Sequence, residues 1–83
     1  MISINIGEAV RERIIELCRE REISINKLSE MSGVTQSTVN NIVSGRNNSA
    51  TVSTIKKLCD GLEITIQDFF NSELFCGLEQ EIK

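Results

Sequence analysis

The strongest constraint on this chain is the run Ser24–Arg46, SINKLSEMSGVTQSTVNNIVSGR, in which two short helical patterns meet at one glycine. Ser24 can accept a hydrogen bond from an otherwise unpaired amide of the first helical turn, so it reads as an N-cap. Leu28 and Met31 follow at helical spacing and give the helix one packed face, while Ser29 is small enough for a second helix to cross closely. Gly33 stands where that helix must end in a left-handed conformation, which glycine adopts without steric cost. Val34 is placed to plug the angle between the helices. Thr35 caps the next helix, which runs from about Gln36 to Ser44 and stops before Gly45. Within it Val39 and Ile42 point inward, with Val43 beside them.

The opposite side of that helix carries Gln36, Ser37, Asn40, Asn41 and Ser44, all polar and uncharged. An ordinary solvated helix surface favours Glu and Lys, which form helices better than Asn, Ser or Thr. This face gives up helix propensity for side chains that hold a donor and an acceptor together. Gln and Asn can pair with the N6/N7 edge of adenine, and Ser can bond several base edges. Two helices joined in this way read as a helix-turn-helix, and the amide face reads as a device for sequence-specific DNA binding.

The stretch from about Ile6 to Phe70, roughly four fifths of the chain, resembles the Cro and phage-repressor type of helix-turn-helix domain, the xenobiotic-response-element (XRE) family. The resemblance rests on Leu28–Ser29, Gly33-Val34-Thr35-Gln36, Val39, Ile42 and Gly45. Thr51, Ile55, Leu58, Leu62 and a closing Asp68-Phe69-Phe70 continue it. It implies an all-α fold, a compact bundle of five helices with the helix-turn-helix at helices 2 and 3 and the third helix in the major groove. It further implies that Gln36, Ser37, Asn40 and Asn41 read bases. Ser24, Thr38, Ser44, Arg46, Asn47 and Asn48 fall where relatives contact phosphates. Many relatives carry Gln at the start of the second helix, where it touches the DNA backbone and steadies the first reader. Ile25 stands there instead, and Asn26 or the helix-start amides are the available substitutes. A proline common ahead of the fourth helix is replaced by Ala50.

An overall charge of −3, from 9 Lys and Arg against 12 Asp and Glu, at first opposes a nucleic-acid partner. Its distribution does not. Residues 23–58 are net +3, with Lys27, Arg46, Lys56 and Lys57 against Glu30, whereas residues 59–83 are net −5. Positive charge therefore collects on the segment that would face double-stranded DNA, and acid collects behind it. Binding should depend strongly on salt.

The remaining sequence fits a small helical protein: a single domain over 1–83, with a core of about 6–70 and a tail over 71–83. Asn5 with Glu8 makes a capping box, and Val10, Ile14, Leu17 and Cys18 then recur on one helical face up to about Arg21. Glu8, Arg11, Glu12, Arg13, Glu16, Arg19 and Glu20 alternate on the wet side as helix-surface pairs. Thr51 opens a fourth helix whose apolar set is Val52, Ile55, Leu58, Cys59 and Leu62. Thr65 with Asp68 opens a fifth, with Ile66, Phe69 and Phe70 inside.

Several function classes drop out. There is no histidine or tyrosine, and no glycine loop to cradle a phosphate, so catalysis is not expected. Cys18, Cys59 and Cys76 lack the spacing and the fourth ligand of a structural zinc site. No cofactor, metal or small-molecule ligand is expected. An odd number of thiols without a secretory leader fits a reducing cytoplasm. No apolar stretch approaches the ~20 residues that span a membrane. In the tail, Leu74, Phe75 and Leu78 are spaced for one helical stripe, which reads as a homodimer seam, as closure of the chain's own core, or as a docking stripe for another protein. The same fold resembles the antitoxins of toxin–antitoxin pairs, which bind a partner protein as well as their operator. The function expected first is a transcriptional regulator, a repressor, that binds a pseudo-palindromic operator as a homodimer.

Overall fold

Each helix of the protein begins at a side chain that satisfies an amide the helix cannot. In a computed structural model that describes residues 4–46 and 49–82, Asn5 Oδ1 accepts from the Glu8 amide at 2.8 Å and opens α1, Ile6–Glu20. Ser24 Oγ accepts from the Lys27 amide at 3.0 Å and opens α2, Ile25–Ser32. Thr35, Thr51 and Thr65 do the same for α3 (Gln36–Val43), α4 (Val52–Leu62) and α5 (Ile66–Phe70). The boxes expected at Asn5/Glu8 and Thr65/Asp68 are both closed. Among the described residues there is no strand.

Two helix ends have no glycine to mark them. After α1 and after α4 the chain turns at Glu22 (φ 54) and Glu63 (φ 58), left-handed positions that cost a non-glycine residue about 1–2 kcal/mol. The next residue's amide returns to the last turn in both cases, Ile23 to the Cys18 carbonyl and Ile64 to the Cys59 carbonyl, each at 3.0 Å. That is the Schellman pattern. Both isoleucines then pack against the core, which offsets the backbone cost.

The core joins Val10, Ile14, Leu17 and Cys18 of α1 to Leu28, Val34, Val39 and Ile42 of the helix-turn-helix, and to Ile55, Leu58, Cys59, Leu62 and Phe69 behind it. No polar or charged residue is buried among the described residues. Three expectations are corrected. Met31, placed on the packed face of α2, is 40 % exposed, and Val52, placed in the apolar set of α4, is 73 % exposed. Each sits near a helix end, Met31 in the last turn of α2 and Val52 in the first turn of α4. Arg13, placed on the wet side of α1, turns inward with 11 % of its side chain exposed. Its Nε donates to the Phe69 carbonyl and its Nη2 to the Asp68 carbonyl, both at 2.7 Å, and Nη1 pairs with Glu16. This arginine caps the C-terminus of α5, where the helix dipole favours a cation.

The tail is no helix. A 3-10 turn at Glu73–Phe75 is followed by an extended Cys76 and by Gly77 at φ +71, so the Leu74–Phe75–Leu78 stripe never forms. Phe75 instead joins Phe70 edge-on at 4.8 Å between centroids and Phe69 at 6.2 Å, and the Glu79 amide donates to the Ile4 carbonyl at 3.1 Å. The tail folds back beside the N-terminal end of α1 and closes this chain's own core.

Candidate nucleic-acid interface

The angle between α2 and α3 is held by small hydroxyls. Gly33 takes φ 72, and its amide reaches the Ser29 carbonyl at 3.0 Å. Ser29 Oγ donates to the Val34 carbonyl, and the Val34 amide reaches Ser32 Oγ at 3.4 Å. Val34 is buried between the helices, as its position implied. From behind, α4 braces α2 through Gly61: a Cβ built there would lie 2.8 Å from Ser32 Cα and 2.9 Å from Ser32 N. The small side chain of Ser29 predicts a close crossing there; Gly61 meets α2 about one turn later, at Met31–Ser32.

On α3, Val39 and Ile42 are buried and Val43 half-buried, while Gln36, Ser37 and Asn40 are exposed and Asn41 half-buried at their edge. At 3.6 residues per turn these four span an arc of about 140°. Ser44, the C-cap, falls within the same arc one turn on, but its hydroxyl donates back to the Asn41 carbonyl at 3.2 Å. Thr38 lies half-buried at the other margin, its hydroxyl 2.8 Å from that of Thr35. Gln36 does not hang free. Its Nε2 donates to Asn26 Oδ1, so an amide from α2 orients the first amide of α3. Asn26 thus takes a steadying position that Ile25 cannot fill, one residue further along the same helix. One N–H and the carbonyl of Gln36 stay available for a ligand.

Charge borders the face without entering it. Arg46 is exposed and has no ion pair among the described residues, whereas Lys27 lies 3.8 Å from Glu30 and Lys56 is paired with Asp60. Ser24 is exposed at the start of α2, its oxygen committed to the cap. Asn47 and Asn48 lie outside the described residues. The structure thus brings Gln36, Ser37, Asn40, Asn41 and Ser44 to one side of α3, with Thr38 at its margin, while Arg46 follows the end of α3 and Ser24 opens α2. Among the described residues no cluster of His, Cys, Asp or Glu could hold a metal, and no helix is long and apolar enough to cross a membrane.

The family model of the Cro/C1-type HTH DNA-binding domain matches residues 13–73. The chain is 29 % identical over 70 residues to the SPbeta prophage-derived uncharacterized HTH-type transcriptional regulator YopS of Bacillus subtilis (strain 168), covering 84 % of this chain and 90 % of that protein. No solved structure matches. The matched span takes in the C-terminal half of α1, the braced pair α2–α3 and the helices behind it, and the chain belongs to the Cro/C1-type helix-turn-helix DNA-binding family.

Proposed function

We propose that the protein is a sequence-specific transcriptional regulator, a repressor in the cytoplasm, that reads the major groove of double-stranded DNA with α3. The observation that carries this reading is the uncharged amide arc of α3, with Gln36 oriented by Asn26, on a family scaffold built for DNA. The similarity to a protein named as a transcriptional regulator supports the regulatory role. Gln36, Ser37, Asn40 and Asn41 are the proposed base readers; Ser24, Thr38, Ser44, Arg46, Asn47 and Asn48 are the proposed phosphate contacts. Two copies would dock on a pseudo-palindrome with half-site centres about 34–36 Å apart, so that paired α3 helices enter successive major grooves on one side of the duplex. The antitoxin-type alternative drew on the apolar tail stripe. With Phe75 packed against Phe69 and Phe70, no observation favours that alternative.

Selection of binding sites from random duplex DNA tests the proposal. A defined motif should emerge, with symmetry if two copies bind. On that site Gln36→Ala and Asn41→Ala should each cost about 1–3 kcal/mol and relax selectivity at one base pair, leaving non-specific binding almost unchanged. Full affinity and selectivity in both variants would remove α3 as the reading helix. A complex that sediments with one copy per selected site at every concentration would refute the dimer.

A further inference from the structure

Arg11 is placed as though for a partner the folded chain does not supply. It belongs to the alternating charges of α1, yet its side chain is only 31 % exposed and its Nε is buried with no hydrogen-bond partner. Its ion pair, Nη2 to Glu12 Oε1 at 3.4 Å, joins chain neighbours, which on a helix do not face each other, and Glu12 is itself 48 % exposed. Arg13, two residues on, differs in every respect: each of its three guanidinium nitrogens has an acceptor. A guanidinium keeps its charge at all ordinary pH and carries five N–H donors, so partial desolvation without acceptors is unfavourable. An oxyanion with two or more acceptors would relieve it.

The location names the oxyanion. Nη1 of Arg11 lies 3.5 Å from where a Cβ would stand on Gly45. Gly45 joins Ser44 to Arg46, two proposed phosphate contacts at the end of α3, and Arg46 is exposed without an ion pair among the described residues. Two cations from different parts of the chain, Arg11 of α1 against Gly45 and Arg46 next to Gly45 in sequence, therefore border the same turn at the end of α3.

We infer that Arg11 is a further phosphate-binding residue of the interface, acting with Arg46 at the end of α3. The inference rests on the DNA-binding reading above. Binding would exchange the weak Glu12 pair for a phosphate and would carry no base information.

The test is a salt titration of the full chain on the selected operator and on a scrambled duplex, followed by fluorescence anisotropy. Arg11→Gln retains much of the side chain's length and its hydrogen-bonding capacity but removes the charge. It should lower the slope of log K against log salt by about 0.9 per bound copy, equally on both duplexes. Arg46→Ala serves as the reference and should do the same. An unchanged slope in Arg11→Gln alongside a lowered one in Arg46→Ala overturns the inference and leaves DNA binding standing. Failure of the wild type to bind any duplex overturns both. Should Arg11→Gln lose its fold, phenylglyoxal labelling of wild type decides: Arg11 protected by duplex DNA supports the inference, and equal labelling with and without DNA overturns it.

Discussion

Replacing Gly61 by alanine sets two physical effects against each other, and the structure says which wins. Gly61 lies inside α4, where alanine is favoured by about 1 kcal/mol on helix propensity alone. The new Cβ, however, would stand 2.8 Å from Ser32 Cα, 2.9 Å from Ser32 N and 3.0 Å from the Met31 carbonyl carbon, all backbone atoms that cannot rotate away. Ordinary contact begins near 3.4 Å, so α2 and α4 must part by about 0.6 Å, the difference between 3.4 and 2.8 Å. Overpacking of this kind costs about 1–3 kcal/mol, and it loosens the layer that Leu28 shares with Leu58 and Leu62. The propensity gain offsets only part of that. We expect a net loss of about 1 kcal/mol, or a melting temperature lower by about 4–8 °C for a domain of this size. Thermal unfolding followed by circular dichroism measures it. Because α2 carries the Asn26 that orients Gln36, operator affinity should fall as well. A variant that melts at or above the wild type would show that the α2–α4 crossing has slack, and the bracing argument would fail.

Arg13→Met keeps the stem of the side chain but takes the guanidinium donors from both carbonyls, leaving Asp68 with only the Asn71 amide at 3.3 Å; it should destabilise the fold by about 2 kcal/mol in urea titration, and Arg13→Lys should recover little because an ammonium cannot reproduce the fork. An equilibrium midpoint unchanged in Arg13→Met would contradict the α5 cap. Burial pushes the Cys18 and Cys59 thiols up, Cys59 further through the Asp60 carboxylate, whereas Cys76 is exposed, so a thiol reagent near pH 8 should label one cysteine fast and two only on unfolding. The same shifts favour the protonated thiols in the folded chain, so their contribution to stability is complete below the unfolded thiol value, about 8.5, and is lost as pH rises above it. Three thiols reacting at one rate would refute the burial of Cys18 and Cys59.

Phe75 shows where assembly and folding must be kept apart. Read from the stripe Leu74–Phe75–Leu78, Phe75→Glu would split a dimer and spare the helices. With its ring against Phe69 and Phe70, the same change disrupts the chain's own packing. Dimerisation is therefore better tested on the DNA than at this residue.

Helix starts were legible in the sequence because they are local: a Ser, Thr or Asn binds an amide three residues on, and all five such caps stand where the residues placed them. The Gly33 turn and the amide arc of α3 were legible for the same reason, one glycine and one helical period sufficing to define them. What the sequence left open depends on contacts between residues far apart along the chain. Spacing on α1 assigns Arg11 and Arg13 alike to water; only the arrival of α5 beside Arg13, and of Gly45 beside Arg11, separates a buried cap from a cation whose Nε has no acceptor. The end of α1 was legible at about Arg21, but the left-handed turns at Glu22 and Glu63 were silent, since a left-handed glutamate is tolerated only because Ile23 and Ile64 find the core. Local hydrogen bonding decides where helices begin, within a few residues, and the sequence records it directly. Which side chain faces a neighbour depends on how the helices cross, and that was decided when Gly61 let α4 close on α2.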